Sequence, residues 1–157
     1  MAIIYFSGHG GSQRGGSDED DGCDEYICCF DEGLLDDVIW NAVCKAKGRV
    51  FLIFDCCHSE TMFRSPGIKF NVARRRGLKA GFVPDMLCWS GCPDDSYSYG
   101  SANGGEFTKA LRKYVKSGET YAEVWKKISK DSSLAAQQEV RSTEIGDFGA
   151  KREKIFR

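Results

Sequence analysis

A thiol attacks a carbonyl carbon well only as a thiolate, and a neighbouring imidazole lowers its pKa or accepts its proton. The 157-residue chain holds two histidines and eight cysteines. Both histidines fall in unusual clusters, Ser7-Gly8-His9-Gly10 and Asp55-Cys56-Cys57-His58-Ser59. Each cluster follows a short apolar run, residues 2–6 and 50–54, and such runs read as buried strands. Side chains alternate along extended backbone. If the extension continues past each strand, Ser7 and His9 project to one side, and so do Asp55 and Cys57. Cys56 then points the opposite way. The pattern nominates Cys57 as a nucleophile and His9 as its base. The glycine after the histidine permits close backbone approach, so the N–H groups of Gly10 and Cys57 are candidates for an oxyanion hole. His58 reads as a structural or substrate-side residue, because its neighbour is already the nucleophile.

Such groups need strands whose carboxyl ends meet. Residues 85–89 read as a third strand, 26–29 as a short one and 138–142 as a last one. Leu35, Val38, Ile39, Ala42, Val43 and Ala46 recur at helical spacing, and Gly48 supplies a stop. A second helix is expected over 106–116, burying Phe107, Ala110, Leu111, Tyr114 and Val115. Thr120 and Glu123 form a capping-box signature for a further helix that buries Val124, Trp125 and Ile128. Residues 11–24, 59–82 and 90–105 are rich in turn formers and read as loops. Strands alternating with helices predict an α/β fold, a mostly parallel sheet with helices on both faces. In such sheets reacting groups gather beyond the carboxyl ends of the strands. No repeat or linker divides the chain, so residues 1–157 read as one domain.

Composition narrows the classes. Hydrophobic content of 41% and aromatic content of 12% are ordinary for a globular protein. No apolar run approaches the roughly 20 residues that span a bilayer, and the first apolar stretch is too short for a signal peptide. A soluble, cytoplasmic protein without membrane partners is expected. In a reducing compartment cysteines are more often free, catalytic or metal-bound than paired. Cys28, Cys29, Cys44 and Cys88 read as small buried hydrophobes, and Trp40, Trp89 and Trp125 as core. The net charge of −1 hides a split, −9 over residues 1–37 and +8 over the remainder. The basic residues are scattered apart from Arg74-Arg75-Arg76, which reads as a solvated loop, so no nucleic-acid partner is expected. Ten carboxylates precede residue 38, and they repel one another unless a cation or basic partner neutralises them. A zinc module using Cys23, Cys28, Cys29 and Cys44, or Cys56, Cys57 and His58, is an alternative. It lacks the paired hooks of standard structural zinc sites.

The segments Tyr5-Phe6-Ser7-Gly8-His9-Gly10, Asp20-Asp21-Gly22-Cys23-Asp24-Glu25, Leu35-Asp36-Asp37 and Asp55-Cys56-Cys57-His58-Ser59 resemble the large-subunit region of metacaspases. Ser90-Gly91-Cys92-Pro93-Asp94-Asp95 and Gly104-Gly105-Glu106-Phe107-Thr108 resemble the start of the small-subunit region. The separation of 48 residues between His9 and Cys57 matches the roughly fifty noted for caspase-type peptidases. The resemblance implies a caspase-like three-layer sandwich with a large-subunit-like region over 1–82 and a small-subunit-like region over 83–157. It implies a cysteine endopeptidase that uses a Cys57–His9 dyad on protein or peptide substrates, cutting after Arg or Lys. Ser7 and Asp55 would line the pocket for the residue before the scissile bond; the other reading of Asp55 is a cap on a turn. Asp24, Asp36 and Asp37 match carboxylates that bind an activating calcium ion in related metacaspases. Asp36 and Asp37 also fall at an expected helix N-terminus, where the dipole favours negative charge in any case. No organic cofactor is implied.

The chain also departs from the family pattern. Metacaspases usually have a strand and helix ahead of the histidine strand, whereas this sequence starts at that strand, so a minimal fold, a partner chain supplying those elements, and a truncated chain are the three expectations. Glu60 replaces a glycine, Ser96 stands where glutamine is usual, and Arg64 stands where some members have a calcium-binding aspartate. A pseudo-peptidase acting as scaffold or regulator is therefore the second alternative, although both dyad members remain.

Overall fold

The computed structural model describes residues 1–14, 23–56, 85–91, 100–101, 104–136 and 138–155. In chain order the elements are β1 (Ala2–Ser7), β2 (Gly10–Arg14), β3 (Cys23–Cys28), β4 (Gly33–Leu35), α1 (Asp36–Val43), β5 (Val50–Asp55), β6 (Met86–Ser90), β7 (Gly100–Ser101), β8 (Gly104–Gly105), α2 (Glu106–Tyr114), α3 (Tyr121–Ile128), α4 (Ser132–Ala135) and β9 (Arg141–Ile145). The central sheet has the order β1-β5-β6-β9. β1, β5 and β6 are parallel, and β9 closes the far side antiparallel to β6. A separate antiparallel sheet, β2-β3-β4, lies beside it, and β7 and β8 form a two-stranded ribbon.

Alternation along β5 and β6 sorts their side chains between two cores. Val50, Leu52, Phe54, Cys56, Met86 and Cys88 pack on one face with Ile27 of β3 and with Ile39, Trp40 and Val43 of α1. Phe51, Ile53, Leu87 and Trp89 pack on the other with residues of α2, α3 and α4 and with Phe148 and Ile155. Burial on both faces is why these strands read as continuous apolar runs rather than alternating ones. Helices therefore cover both faces of a mostly parallel sheet, as expected. Thr120 and Glu123 form the expected capping box at the start of α3: Glu123 N–H donates to Thr120 Oγ1 at 3.2 Å, and Thr120 N–H donates to Glu123 Oε2 at 2.8 Å.

Three expectations need correction. The run at residues 2–6 is not a buried strand: among the described strands β1 forms the sheet edge, with Ile3 47%, Ile4 39% and Tyr5 47% exposed. An apolar hollow of about 320 Å³ adjoins it, lined by Ile3, Phe51, Ile53, Leu111, Val115 and Tyr121 among others. Part of the expected loop at 11–24 is strand, because Gly10–Arg14 pairs residue for residue with Cys23–Ile27. Cys28 and Cys29 are exposed, since β3 ends at Cys28 and Cys29 has left the sheet; Cys44 is half-buried and Cys88 buried. Burial raises the Cys44 thiol pKa. Burial, and then the neighbouring Cys56, push that of Cys88 far higher.

Candidate active site

Parallel pairing brings the ends of β1 and β5 to the same edge of the sheet. Ser7 and Asp55 are direct partners in the register. The pairing continues one step further, where Gly8 N–H donates to the Asp55 carbonyl at 3.2 Å. His9 follows two residues after Ser7, just past this paired edge. Its backbone is fixed from the second sheet, since Cys28 N–H donates to the His9 carbonyl at 2.8 Å. The His9 side chain is exposed, Ser7 is exposed, and Gly10 is half-buried at the start of β2. Cys57, His58, Glu60 and Arg64 lie outside the described residues, as do Arg74-Arg75-Arg76, Cys92 and Ser96.

Cys56 is completely buried, in the core face that also holds Phe54 and Cys88. Asp55 lies on the opposite face, where its carboxylate meets α2. The alternation expected from the sequence thus holds through residues 54, 55 and 56.

Asp55 is 2% exposed, and a buried carboxylate needs partners. Thr108 supplies them: its backbone N–H donates to Asp55 Oδ2 at 3.0 Å and its hydroxyl donates to the same oxygen at 2.5 Å. Thr108 is the third residue of α2, and the N-cap position, Gly105, has no side chain to cap the helix. Asp55 thus caps α2 from another element, and the positive end of the helix dipole compensates its charge. Both readings made of Asp55 concern this carboxylate; the capping one is realised on a helix rather than a turn. The approach depends on two glycines. A Cβ on Gly105 would lie 2.1 Å from Asp55 Oδ2, and one on Gly91 would lie 3.1 Å from Oδ1. Gly91 is held in place by its N–H, which donates to the Phe54 carbonyl at 2.8 Å, and by Gln138, whose Nε2 donates to the Gly91 carbonyl. Sequence reasoning did not find Thr108, Gly91 or Gln138 as site residues. The motif containing Gly104, Gly105 and Thr108 was visible, but its partner, Asp55, lies about fifty residues earlier.

Over residues 1–149 the sequence matches the family model of the caspase domain. The chain belongs to the caspase-domain family. Among curated relatives, this caspase domain is 27% identical over 127 residues to Metacaspase-5 of Trypanosoma brucei brucei, covering 68% of the chain and 25% of that protein. It is 38% identical over 72 residues to Metacaspase-1 of Yarrowia lipolytica, covering 41% of the chain and 16% of that protein. The chain thus spans a quarter or less of the length of these relatives. A solved structure of a Geobacter sulfurreducens protein superposes with a TM-score of 0.67 at 25% identity, covering 98% of this chain and 69% of the other. The caspase-like α/β fold expected from the sequence is therefore the fold observed.

The carboxylates expected to hold calcium come from adjacent elements of this caspase domain. Asp24 lies on β3 and is half-buried, and Asp36 and Asp37 open α1, where Asp36 is 1% exposed. Glu25, next to Asp24, is a second buried carboxylate. Calcium takes six to eight oxygen ligands. Among the described residues no group of three or more His, Cys, Asp or Glu side chains is placed to hold a metal ion. Of the first zinc alternative this covers Cys28, Cys29 and Cys44; the Cys23 side chain, and Cys57 and His58 of the second, lie outside the described residues. Among the described residues no helix is long and apolar enough to cross a membrane.

Proposed function

We propose that this caspase-domain chain is a cysteine endopeptidase that cleaves after Arg or Lys, with Cys57 as nucleophile and His9 as general base. The observation that supports it best is the in-register parallel pairing of β1 with β5, combined with complete burial of Cys56. His9 is two residues beyond Ser7, and Cys57 is two beyond Asp55. Of the two adjacent thiols, only that of Cys57 is then left for the site edge.

In this reading His9 takes the Cys57 proton, and the sulfur attacks the carbonyl carbon of the scissile peptide. The N–H groups of Gly10 and Cys57 stabilise the oxyanion. Collapse breaks the C–N bond, and the imidazolium returns its proton to the leaving amine. Water then hydrolyses the thioester. Asp55 supplies the negative charge that selects a basic side chain. Hydrogen bonds from Thr108 orient that charge without cancelling it. Calcium, expected from the resemblance, is left to a direct test of activity.

The testing experiment compares Cys57→Ala with Cys56→Ala on Arg- and Lys-containing peptides and with a thiol-reactive peptidyl probe. Cys57→Ala is expected to abolish cleavage and labelling, and Cys56→Ala to keep both. An inactive Cys56→Ala variant that folds normally would refute the register. A parent that neither cleaves nor labels would favour the pseudo-peptidase reading. Asp55→Asn is expected to lower the preference for Arg over a neutral residue about a hundredfold, since removing one partner of a buried charge pair costs about 3 kcal/mol. Efficient cleavage after Asp by the parent would overturn the specificity.

A further inference from the structure

Asp55 is held through a chain of hydroxyls that begins on the sheet edge. Tyr5 Oη lies 2.8 Å from Thr108 Oγ1, and Thr108 Oγ1 lies 2.5 Å from Asp55 Oδ2. The proton directions follow from chemistry. An ionised carboxylate only accepts, and a hydroxyl has one proton to donate. Thr108 must therefore give its proton to Asp55, and so Tyr5 must give its own to Thr108. The result is a one-way relay, Tyr5 O–H to Thr108 O–H to Asp55. Each bond polarises the next, and the Thr108 backbone N–H adds a second donor to the same oxygen.

The relay joins three elements. Tyr5 comes from β1, Asp55 from β5 and Thr108 from the first turn of α2. A tyrosine on a half-exposed edge is ordinarily a packing residue, but here its hydroxyl contacts the group that orients the buried carboxylate. Gly105 completes the arrangement, because any side chain there would occupy the position of the carboxylate.

We infer that Thr108 and Tyr5 are positioning residues for substrate selection: they fix the Asp55 carboxylate in the orientation that receives a basic side chain. Selectivity is then set jointly by the two regions of the chain, since Asp55 and Tyr5 lie before residue 82 and Thr108 after it. The inference rests on the Arg/Lys reading of Asp55 proposed above. Neither Thr108 nor Tyr5 touches the reacting atoms in this reading; they act through Asp55.

The experiment measures kcat and KM of the full chain for matched peptides with Arg or Ala before the scissile bond. The parent, Thr108→Val, Thr108→Ser and Tyr5→Phe are compared. Thr108→Val keeps the side-chain shape and the backbone bond but removes the relay hydroxyl. Its Arg-to-Ala ratio of kcat/KM is expected to fall about tenfold, the factor that one hydrogen bond to a charged group corresponds to. The loss should appear mainly as a raised KM for the Arg peptide. Thr108→Ser should restore most of the ratio, and Tyr5→Phe should lower it by about threefold, as for a neutral hydrogen bond. A selective parent whose ratio is unchanged in Thr108→Val, even with a lower melting temperature, overturns the positioning role and leaves the proposed function standing. A parent that shows no preference for Arg overturns both.

Discussion

Gly105→Ala isolates a single contact. Gly105 has φ −70° and ψ 154°, extended backbone that alanine adopts without strain. The substitution therefore tests space rather than conformational freedom. At an ordinary N-cap the change costs at most about 1 kcal/mol. Here the added Cβ falls 2.1 Å from Asp55 Oδ2, 2.6 Å from Cγ and 2.7 Å from Oδ1. The whole carboxyl group is in the way, and it is rooted in a buried strand that cannot swing aside. Either α2 retreats or the Asp55 rotamer changes. In both cases the two bonds from Thr108 are lost, each worth about 1.5 kcal/mol or more because the acceptor is charged. The expected destabilisation is about 4 kcal/mol, and for a chain of this size that lowers Tm by about 8–16 °C. Thermal and urea unfolding, monitored by circular dichroism, measure it. Asp55→Ala provides the control, since removing the carboxylate removes the clash. In that background Gly105→Ala should cost only about 1 kcal/mol. Equal costs in the two backgrounds, or a fall of less than about 3 °C in the parent, would refute the account of Gly105 as the seat of the carboxylate.

Other outcomes follow from different parts of the molecule. Asp131 caps α4 through Ser133 N–H at 3.0 Å and Leu134 N–H at 3.2 Å, and it accepts from Lys113 Nζ and Tyr114 Oη at 2.8 Å each. Lys113 first, then Ser133 and Tyr114, hold its carboxyl far below the usual aspartate range. A depressed folded-state pKa gives stability that is present above the unfolded value of about 3.9 and is lost as pH falls towards the folded value. Asp131→Asn should therefore be less stable than the parent at pH 7, with the gap closing as pH falls below about 4; a gap that widens on acidification would contradict this. Calcium dependence is checked by cleavage of an Arg peptide in chelator and in millimolar calcium. Activation that weakens in Asp36→Ala/Asp37→Ala supports the expected ligands, and full activity in chelator removes them. Self-cleavage within Arg74-Arg75-Arg76 is expected on prolonged incubation, read by N-terminal sequencing, and its persistence in Cys57→Ala would assign it to another protease.

The sequence reveals whatever is decided locally. β5 and β6 are legible because burial on both faces leaves an unbroken apolar run, and α3 is legible because its cap lies within the first turn. The opposite orientations of Asp55 and Cys56 follow from strand alternation alone. β1 was misjudged because an apolar run shows that a strand is apolar, not how many neighbours it has. β2 was missed because Gly10–Arg14 is polar and glycine-rich, and its strand character comes from pairing with β3. The cap of α2 was also out of reach. Gly105 shows no capping side chain, and the oxygen that does the work belongs to a residue about fifty positions away. Only the folded sheet brings the two together.

The order of strands has a consequence for what a cut would do. Residues 57–84 join β5 to β6, and these two strands are hydrogen-bonded neighbours over five residue pairs, Val50 with Met86 through Phe54 with Ser90. Backbone scission within that connection removes none of the sheet's strand pairings. Both faces of the join also stay covered by the two apolar cores. The thermodynamic change is in the reference state: once severed, the unfolded fragments diffuse apart, and stability becomes dependent on concentration. A nicked molecule should therefore migrate as one particle in gel filtration and as two in denaturant. Its melting temperature should fall on dilution, whereas that of the intact chain should not.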